Sequence, residues 1–544
     1  MAPQPQDIER VSNLEEKNQV IETEVATDHT AVDSQTLHNG GSILGKLQRF
    51  ANRLGVEQRG IERVLPEERT DTSLSKIGTL WLSANLTPPT FAIGALAHPV
   101  FGLGFVDTAL TIVFVNLLGI LPVSFFARFG PRFGLRQMVL SRFYFGYYGV
   151  KLIAIFNILA CLGWSSVNVI VGAQVLANID PRHPLPGWAG ILIIALSTLL
   201  ITTLGYRVLH AYERWSWLPV LAIFCIVAGE LGRSGRFAAV APLTARGPAA
   251  EAGSVLSFAA SVYGFSSGWT TYAADFTVYQ PERRARGHAV FWWTLGGLFV
   301  PLVFTELLGA AVMTAAASVP VAGGGALHSN PYLDAYNGSG VGGLLAQALV
   351  PPLGGFGRFC LVVLALSVVA NNCPNIYSVG LSLQVLFGAL DPAAAGLARR
   401  RALASRPAWS AAGTAAYVAV SVPGYGMFES WLENFMLVIG YWLAVYEGVA
   451  LAEHFVFRRG WGGYEVEDHA TPSRLPPGFA ALGAFLVGIM GAVLGMAQVW
   501  FTGPVGRLCG REGVGGDVGF ELAFAFSAVS YVVLRAVEKR LYRR

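Results

Sequence analysis

Residues 361–385 read LVVLALSVVANNCPNIYSVGLSLQV, an apolar stretch that holds three asparagines within five residues. A stretch of this length can cross the hydrocarbon core of a bilayer, which requires about 20 residues. Amide groups inside a membrane are costly unless they have hydrogen-bonding partners, so these asparagines indicate a helix that faces a polar interior rather than lipid. We expect them to form a ligand site or a structural hub.

The composition of the whole chain is typical of an integral membrane protein. Of its 544 residues, 53% are hydrophobic and only 13% are charged, whereas soluble domains carry about 25% charged residues. The net charge of +4 is too small for a nucleic-acid-binding protein of this length. The five cysteines have no metal-ligand spacing and lie mostly in or beside apolar runs, so we expect neither a metal site nor a disulfide framework.

Twelve apolar runs follow Lys76, and each is about as long as a membrane helix requires. They lie at 79–97, 103–127, 150–176, 187–205, 214–230, 252–276, 289–317, 354–385, 408–423, 427–453, 476–501 and 519–538. The prediction is an all-α integral membrane protein with 12 transmembrane helices. The runs at 252–276 and 354–385 contain Gly, Ser or Asn clusters, which we expect to break these helices beside a polar cavity.

The two ends of the chain are polar. Residues 1–40 hold eight acidic and two basic residues, a balance that excludes a signal peptide and predicts a disordered tail. Within this tail (1–76), residues 43–54 predict an amphipathic basic helix, either on the anionic membrane surface or simply solvated. The transmembrane domain is predicted at 77–538, and a short basic tail at 539–544.

The distribution of Lys and Arg predicts the orientation. Basic residues concentrate in one set of alternate loops, which ends with the C-terminal tail, and the alternation of spans puts the N-terminus on the same side. We therefore expect both termini in the cytoplasm, which requires an even number of spans. The sequon Asn337-Gly338-Ser339 then falls in an outside loop, where glycosylation is permitted.

Polar residues in the first and third spans mark two candidate site segments. Thr87-Pro88-Pro89-Thr90 predicts a broken helix that frees carbonyl and hydroxyl groups for a ligand, with a tolerated kink as the alternative. Trp164 and Asn168 lie four residues apart and share one helical face. Such a pair could stack and hydrogen-bond a flat heterocycle, or could serve helix packing.

The sixth and eighth spans carry two more segments. Ser266 and Ser267 lie between two glycines and predict an unwound segment, which Trp269 follows as a second aromatic plane. In the eighth span, Asn371-Asn372-Cys373-Pro374-Asn375 is hard to explain as lipid-facing helix, because each buried amide needs partners.

Two acidic residues were placed within predicted spans, Glu306 in the seventh and Glu447 in the tenth. Either could carry a proton, since burial favours the neutral carboxyl group, or could be a structural partner for an amide. The sequence has no phosphate-binding loop, His-Glu-x-x-His motif or nucleophile elbow, and the nine histidines are scattered. We therefore do not expect an enzyme.

Several motifs, in matching order and spacing, resemble the fungal purine–cytosine permeases of the nucleobase–cation symporter-1 family. They are Gly102–Phe105, Gly130–Met138, Gly163–Asn168, Tyr212–Trp217, Ala274–Tyr279 and Asn371–Asn375. The resemblance is strong over 59–407 and weaker beyond. It implies two inverted five-helix repeats of the leucine-transporter type plus two extra helices. Broken first and sixth helices would then line a central site that faces the third and eighth.

Carried over residue by residue, the resemblance implies a substrate site. Trp164 and Asn168 match the third-helix pair, Trp269 the sixth-helix aromatic residue, and Asn375 the eighth-helix amide. Thr90 matches the first-helix position, in a segment more proline-rich than the family pattern. The supporting motif comprises Ser266, Ser267, Asn371, Asn372 and Pro374.

The resemblance also bears on the coupling ion. Sodium-coupled relatives place hydroxyl residues just before the first asparagine of the eighth helix, where this chain has Val369 and Ala370. Their apolar side chains cannot ligate a hard cation, so we expect a proton as the coupling ion, no other cofactor, and Glu306 as the candidate carrier.

The expected function is plasma-membrane proton symport of cytosine, adenine, guanine and hypoxanthine. The alternatives are transport of a pyridoxine-like vitamin or an allantoin-type compound and, more remotely, a non-transporting receptor or membrane enzyme. The expected partners are thus a nucleobase, a proton and the lipid bilayer, with no nucleic acid.

Overall fold

The computed structural model describes residues 60–180, 182–204, 206–239, 247–282, 284–317, 330–387, 406–510 and 515–542. The predicted amphipathic helix at 43–54 lies outside these ranges. The α-helices of the described residues are α1 Ser75–Asn85, α2 Pro88–Leu96, α3 Phe105–Ala127, α4 Phe129–Phe133, α5 Gln137–Leu140, α6 Arg142–Ala177, α7 Gly187–Leu204, α8 Tyr206–Ser234, α9 Pro248–Ser266, α10 Arg284–Ala317, α11 Pro331–Leu353, α12 Gly355–Phe387, α13 Arg406–Gly424, α14 Phe428–Ala452, α15 Phe479–Gly495 and α16 Gly519–Tyr542.

The helices have the length and surface of a membrane protein. Within the described ranges, eight segments are long and apolar enough to cross a bilayer: Phe105–Phe133, Arg142–Ala177, Gly187–Leu204, Ala211–Ser234, Gly287–Ala317, Gly355–Phe387, Asn434–Phe457 and Gly519–Tyr542. Large apolar side chains such as Leu110, Phe114 and Leu121 are exposed along α3, as expected of a surface that faces lipid. The all-helical prediction is confirmed, and helices occupy each of the twelve predicted runs. The five cysteines, all within the described ranges, form no disulfide with one another.

The first predicted span is broken between α1 and α2, as the sequence indicated. Thr87 has an extended backbone with φ −146° and ψ 159°, the conformation that a residue before proline favours. Pro88 and Pro89 occupy the first two positions of α2, where the missing N–H groups remove no helical hydrogen bond. The proline pair therefore begins a second half-helix and does not kink a continuous one.

The sixth predicted span changes its backbone in the middle. The α9 helix ends at Ser266, and a 3₁₀ segment follows from Ser267 to Phe276. The hydroxyl of Ser266 donates to the Val262 carbonyl at 2.9 Å, and that of Ser267 donates to the Tyr263 carbonyl at 2.7 Å. The α-helix therefore ends inside the predicted segment, and the chain continues as a 3₁₀ helix rather than as an unwound stretch.

Two expectations about local structure are wrong. The eighth span is one continuous helix, α12, although it contains Pro374; a proline inside a helix removes only the hydrogen bond of its own missing N–H, and neighbouring helices can support the remainder. The segment around the sequon is the helix α11 rather than a loop, with Asn337 exposed on it.

The half-helix α2 is held in place by close backbone contact with α10. A Cβ atom on Gly94 would lie 1.8 Å from the carbonyl oxygen of Glu306, and one on Gly309 would lie 2.0 Å from that of Phe91. Only glycine permits this approach. The helix α10 also packs on α1 and α3, while α12 packs along α6 and α7. The half-helix α2 also contacts α6, and both α1 and α2 contact α12, so the first broken span lies against these two helices.

Candidate functional site

A chain of amide hydrogen bonds connects three of the four predicted site segments. Asn168 on α6 donates from Nδ2 to Oδ1 of Asn371 on α12 at 2.7 Å. The Nδ2 atom of Asn371 in turn donates to the carbonyl oxygen of Ala84 at 2.5 Å. Because Ala84 lies in the last turn of α1, this chain joins the third and eighth spans to the break in the first.

The sixth span reaches the same cluster through Asn375. The hydroxyl of Tyr272, in the 3₁₀ segment, donates to Oδ1 of Asn375 at 2.8 Å. The Nδ2 atom of Asn375 donates weakly, at 3.4 Å, to the carbonyl of Asn371. The predicted edge-reading amide therefore already has a protein donor on its oxygen, so a ligand would have to share or displace Tyr272.

Both predicted aromatic residues are buried in the same region. Trp164 packs edge-on against Phe265 and Phe435, with ring centroids 5.2 and 5.0 Å away. Its Nε1 atom lies 3.4 Å from where a Cβ atom of Gly268 would be, so the indole lies beside the residue that precedes Trp269. The four predicted segments are thus brought together.

Trp269 offers a hydrogen-bond donor that the described residues leave unused. Its ring lies edge-on to Trp81, with centroids 5.3 Å apart, and its Nε1 has no hydrogen-bond partner among the described residues. Nearby on α1, the Oδ1 atom of Asn85 likewise has none. Buried donors and acceptors without partners are uncommon in native proteins and indicate a ligand or water.

The remaining predicted residues lie at the margins of the cluster. Thr90 is fully buried in the first turn of α2, where its hydroxyl meets that of Thr87 at 3.3 Å. Asn372 points toward α7 and α13, since its Nδ2 lies within 3.3 Å of Thr198 Oγ1 and 3.4 Å of the Tyr417 hydroxyl. Asn372 is thus a contact between helices, and Pro374 is buried beside it in α12.

The hub residue Asn157 was missed by the sequence analysis. Its Nδ2 donates to Ser378 at 3.0 Å and Ser382 at 2.8 Å, both on α12, while its Oδ1 accepts from Thr271 at 2.6 Å. The signal was present, because Asn157 is a polar residue seven positions before Trp164 in an apolar run and so lies near the same helical face.

The two acidic residues predicted within spans have different surroundings. Glu447 on α14 accepts from the hydroxyls of Tyr263 at 2.7 Å and Thr270 at 2.9 Å, one on each side of the α9 break. Glu306 accepts one hydrogen bond, from Asn116 Nδ2 at 2.6 Å, and its Oε1 has no partner in the described residues. Glu447 therefore braces the broken sixth span, whereas Glu306 keeps an unused oxygen.

Two of the sequence motifs contact each other at one end of the bundle. The backbone N–H of Gln137 donates to Oδ1 of Asp275 at 2.7 Å. Nη1 of Arg136 donates to the Asp275 carbonyl at 2.7 Å, and the Thr277 hydroxyl donates to the Ala127 carbonyl at 2.7 Å. These hydrogen bonds hold the segment between α3 and α6 against the C-terminal end of the sixth span.

Broken helices, buried amides and indoles inside an all-helical membrane bundle define a carrier of small polar molecules. The sequence model of a family described as permeases for cytosine/purines, uracil, thiamine and allantoin matches residues 64–505. The chain belongs to this family and is therefore a membrane transporter rather than an enzyme.

Curated relatives and a solved structure agree with this membership. The purine-cytosine permease fcyB of Emericella nidulans is 49% identical over 531 residues, 97% of this chain and 98% of the relative. Purine-cytosine permease FCY2 of Saccharomyces cerevisiae is 40% identical over 538 residues, 98% of this chain and 96% of the relative. The vitamin B6 transporter TPN1 of Saccharomyces cerevisiae is 30% identical over 551 residues, 92% of this chain and 90% of the relative.

Among solved structures, the nucleobase-cation-symport-1 family transporter Mhp1, in a closed conformation with bromovinylhydantoin bound, superposes with a TM-score of 0.66 at 12% identity. The match covers 90% of this chain and 96% of Mhp1. At this identity the likeness shows the fold, which is that of a membrane transporter. The family resemblance read from the motifs is confirmed.

Proposed function

We propose that this permease imports cytosine and purines, namely adenine, guanine and hypoxanthine, together with protons by alternating access. The observation that carries the proposal is the cluster at the two helix breaks, where amides and indoles converge and where Trp269 Nε1 has no hydrogen-bond partner among the described residues. An indole plane can stack on a flat base, and amides can read its edge. The names of fcyB and FCY2 support the same substrate class.

The proposed roles follow the geometry of the cluster. Trp164 and Trp269 contact the faces of the base, while Asn168 and Asn375 hydrogen-bond its edge. Thr90 contributes from the first turn of α2. For Asn375 this requires that the base replace or share the hydroxyl of Tyr272, which occupies the amide oxygen in this structure.

The proposed topology has 12 transmembrane helices in two inverted five-helix repeats plus two extra helices. Eight long segments and α15 account for nine of them. Three further spans complete the number. Two are built from two parts, namely α1 with α2 and α9 with its 3₁₀ continuation. The third is α13, whose 19 residues are close to the length that a bilayer requires. Residues 1–76 and 539–544 are proposed as cytoplasmic tails of a plasma-membrane protein.

The proposal of proton coupling rests on the two residues that precede Asn371 in the eighth span, because sodium-coupled relatives have hydroxyl side chains there. Val369 and Ala370 are buried at 2% and 1% exposure and offer no side-chain oxygen to a sodium ion. Glu306 is the proposed proton carrier. Its Oε1 atom has no hydrogen-bond partner among the described residues. Glu306 belongs to α10, which packs against the half-helix α2.

Uptake of radiolabelled cytosine by cells that lack their own nucleobase carriers tests the proposal. We expect concentrative uptake that adenine, guanine and hypoxanthine inhibit, that slows as external pH rises, and that an uncoupler abolishes. Replacing sodium at constant pH should leave the rate unchanged. Absence of cytosine and purine uptake despite surface expression contradicts the substrate assignment, and a requirement for sodium contradicts the proton assignment.

A second candidate is transport of another small heterocycle. The family description includes thiamine and allantoin, and the relative TPN1 is named a vitamin B6 transporter. The same assay distinguishes the two, because inhibition by pyridoxine or allantoin without inhibition by purines favours the alternative.

A further inference from the structure

Glu213 on α8 is a buried carboxyl group to which the transport scheme gives no role. Its side chain has 0% exposure, and neither Oε1 nor Oε2 has a hydrogen-bond partner among the described residues. Glu447 has two hydroxyl donors and Glu306 has one amide donor. Of these three acidic residues, Glu213 is therefore the one whose negative charge the surrounding protein would compensate least.

The helices packed against α8 are α1, α7, α10, α11 and α12. The titratable groups close enough to interact with Glu213 are the Cys373 thiol on α12 and the neighbouring Tyr212 hydroxyl. Tyr212 donates to the Leu366 carbonyl at 3.1 Å. The α7 sequence has no titratable residue, and the single one of α1, Lys76, forms an ion pair with Asp71.

No described cation of α10, α11 or α12 interacts with Glu213. On its own helix, the side chains of Arg207 and His210 lie outside the described part. An isolated carboxylate in an apolar interior is very costly, so such a group takes up a proton instead. In the packed arrangement of this structure, the neutral acid is the form that fits the surroundings.

The position of Glu213 connects it to the first-span break. One helical turn further along α8, the Ser216 hydroxyl meets that of Ser83 on α1 at 2.5 Å. Ser83 precedes Ala84, whose carbonyl ends the amide chain from Asn168. On the α12 side, the Cys373 thiol is the titratable group that interacts with Glu213. Glu213 thus lies at a polar junction of α1, α8 and α12.

We propose that Glu213 is a proton-binding site of the transport cycle. The carboxyl group holds a proton while α8 is packed on α1 and α12. When these helices separate and water enters, its O–H bond breaks and the proton passes to water. The carboxylate that remains opposes repacking until a proton is bound again. This inference rests on the proposed proton symport and adds to it a titrating group that α8 supplies beside the broken helix.

The test uses the full-length protein in proteoliposomes with radiolabelled cytosine. Counterflow measures exchange of substrate without net proton movement, whereas an inward proton gradient measures coupled accumulation. Each proton that moves with a cytosine allows a gradient of one pH unit to support about tenfold accumulation. We expect Glu213→Gln, which mimics the neutral acid, to retain counterflow and to lose accumulation and its pH dependence.

The matched control is Glu230→Gln, the same substitution further along α8. Glu230 forms an ion pair with Arg233 at 2.6 Å. The Glu230→Gln variant should accumulate cytosine as the wild type does. Proton-driven accumulation in Glu213→Gln at the wild-type level overturns the proposal. So does loss of pH dependence in His210→Gln while Glu213→Gln keeps it. Failure of the wild type to accumulate cytosine with a proton gradient counts against the proposed symport instead.

If Glu213→Gln does not yield folded protein, Glu213→Asp decides the question. This variant keeps a titratable carboxyl group but shortens the side chain by one methylene, which changes the contacts of the group and should shift the pH of half-maximal accumulation. An unchanged pH profile in a folded Glu213→Asp variant overturns the proposal.

Discussion

Asn168 and Asn371 join the third and eighth spans through a 2.7 Å amide hydrogen bond, and Asn371 passes the connection on to the end of α1. A displacement of any one of these three helices therefore strains or breaks a hydrogen bond to another of them. The residue predicted to bind substrate is also part of the structure that positions the broken helix. The proposed substrate contact of Asn168 would therefore be coupled to the position of the broken helix at a single side chain.

Asn168→Ala should lower the initial rate of cytosine uptake at least about fivefold. The substitution leaves the buried Asn371 oxygen without its donor, a loss of about 1–3 kcal/mol, and about 1.4 kcal/mol corresponds to a factor of ten. Uptake per molecule at the cell surface is the measurement. The control is Asn178→Ala at the end of the same helix, and uptake of Asn168→Ala above half the wild-type rate contradicts the assigned role.

Asn157→Ala should impair both uptake and thermal stability. It removes the partner of Thr271 on the 3₁₀ segment and of Ser378 and Ser382 on α12. Unpaired buried hydroxyls cost about 1–3 kcal/mol, so the detergent-solubilised protein should lose its monodisperse peak at a lower temperature than wild type. Wild-type stability in this variant would mean that the three hydroxyls find other partners.

Gly94→Ala should prevent α2 and α10 from packing. The added methyl group would lie 1.8 Å from a backbone carbonyl, which no change of side-chain rotamer can relieve. We expect retention inside the cell and loss of uptake. Gly229→Ala on α8 is the matched control, because a Cβ atom there meets nothing within 4 Å. Equal surface levels for the two variants would refute the close contact.

Glu306→Gln should abolish concentrative uptake and its pH dependence while substrate still binds. Glutamine keeps an oxygen that can accept from Asn116 but cannot titrate. Binding is measured by competition and accumulation by the inside-to-outside ratio of labelled cytosine. If Glu306→Gln still concentrates cytosine in a pH-dependent way, Glu306 is a structural partner of Asn116 and does not carry the proton.

The sequence located the broken helices and the polar clusters because both depend on local chemistry. The pair Pro88-Pro89 favours the start of a helix over its interior, because neither residue has a backbone N–H to donate, and amides in an apolar run need partners in any fold. The contacts themselves depend on which helices meet. That Asn375 accepts from Tyr272, or that Glu447 connects Tyr263 to Thr270, follows from tertiary packing that the spacing of residues does not contain.

Three errors have identifiable physical causes. Glu213 was missed because the predicted span began at 214, whereas α8 begins at Tyr206 and buries it. Pro374 was read as a helix break, although packing against neighbouring helices supports α12 on both sides of it. The helix α11 was overlooked because polar residues and two prolines interrupt its apolar pattern, while its glycines fit against α6.

The proline pair at the start of α2 also determines what kind of charge the first-span break can attract. A helix N-terminus normally presents four free N–H groups, which together attract anions. Here Pro88 and Pro89 supply none, and the N–H of Phe91 is bonded to the Thr87 carbonyl at 3.2 Å. In the described part of the chain, Thr87 and Thr90 supply the remaining N–H groups at this end, so the terminus should attract a carboxylate or phosphate less than an ordinary helix N-terminus does.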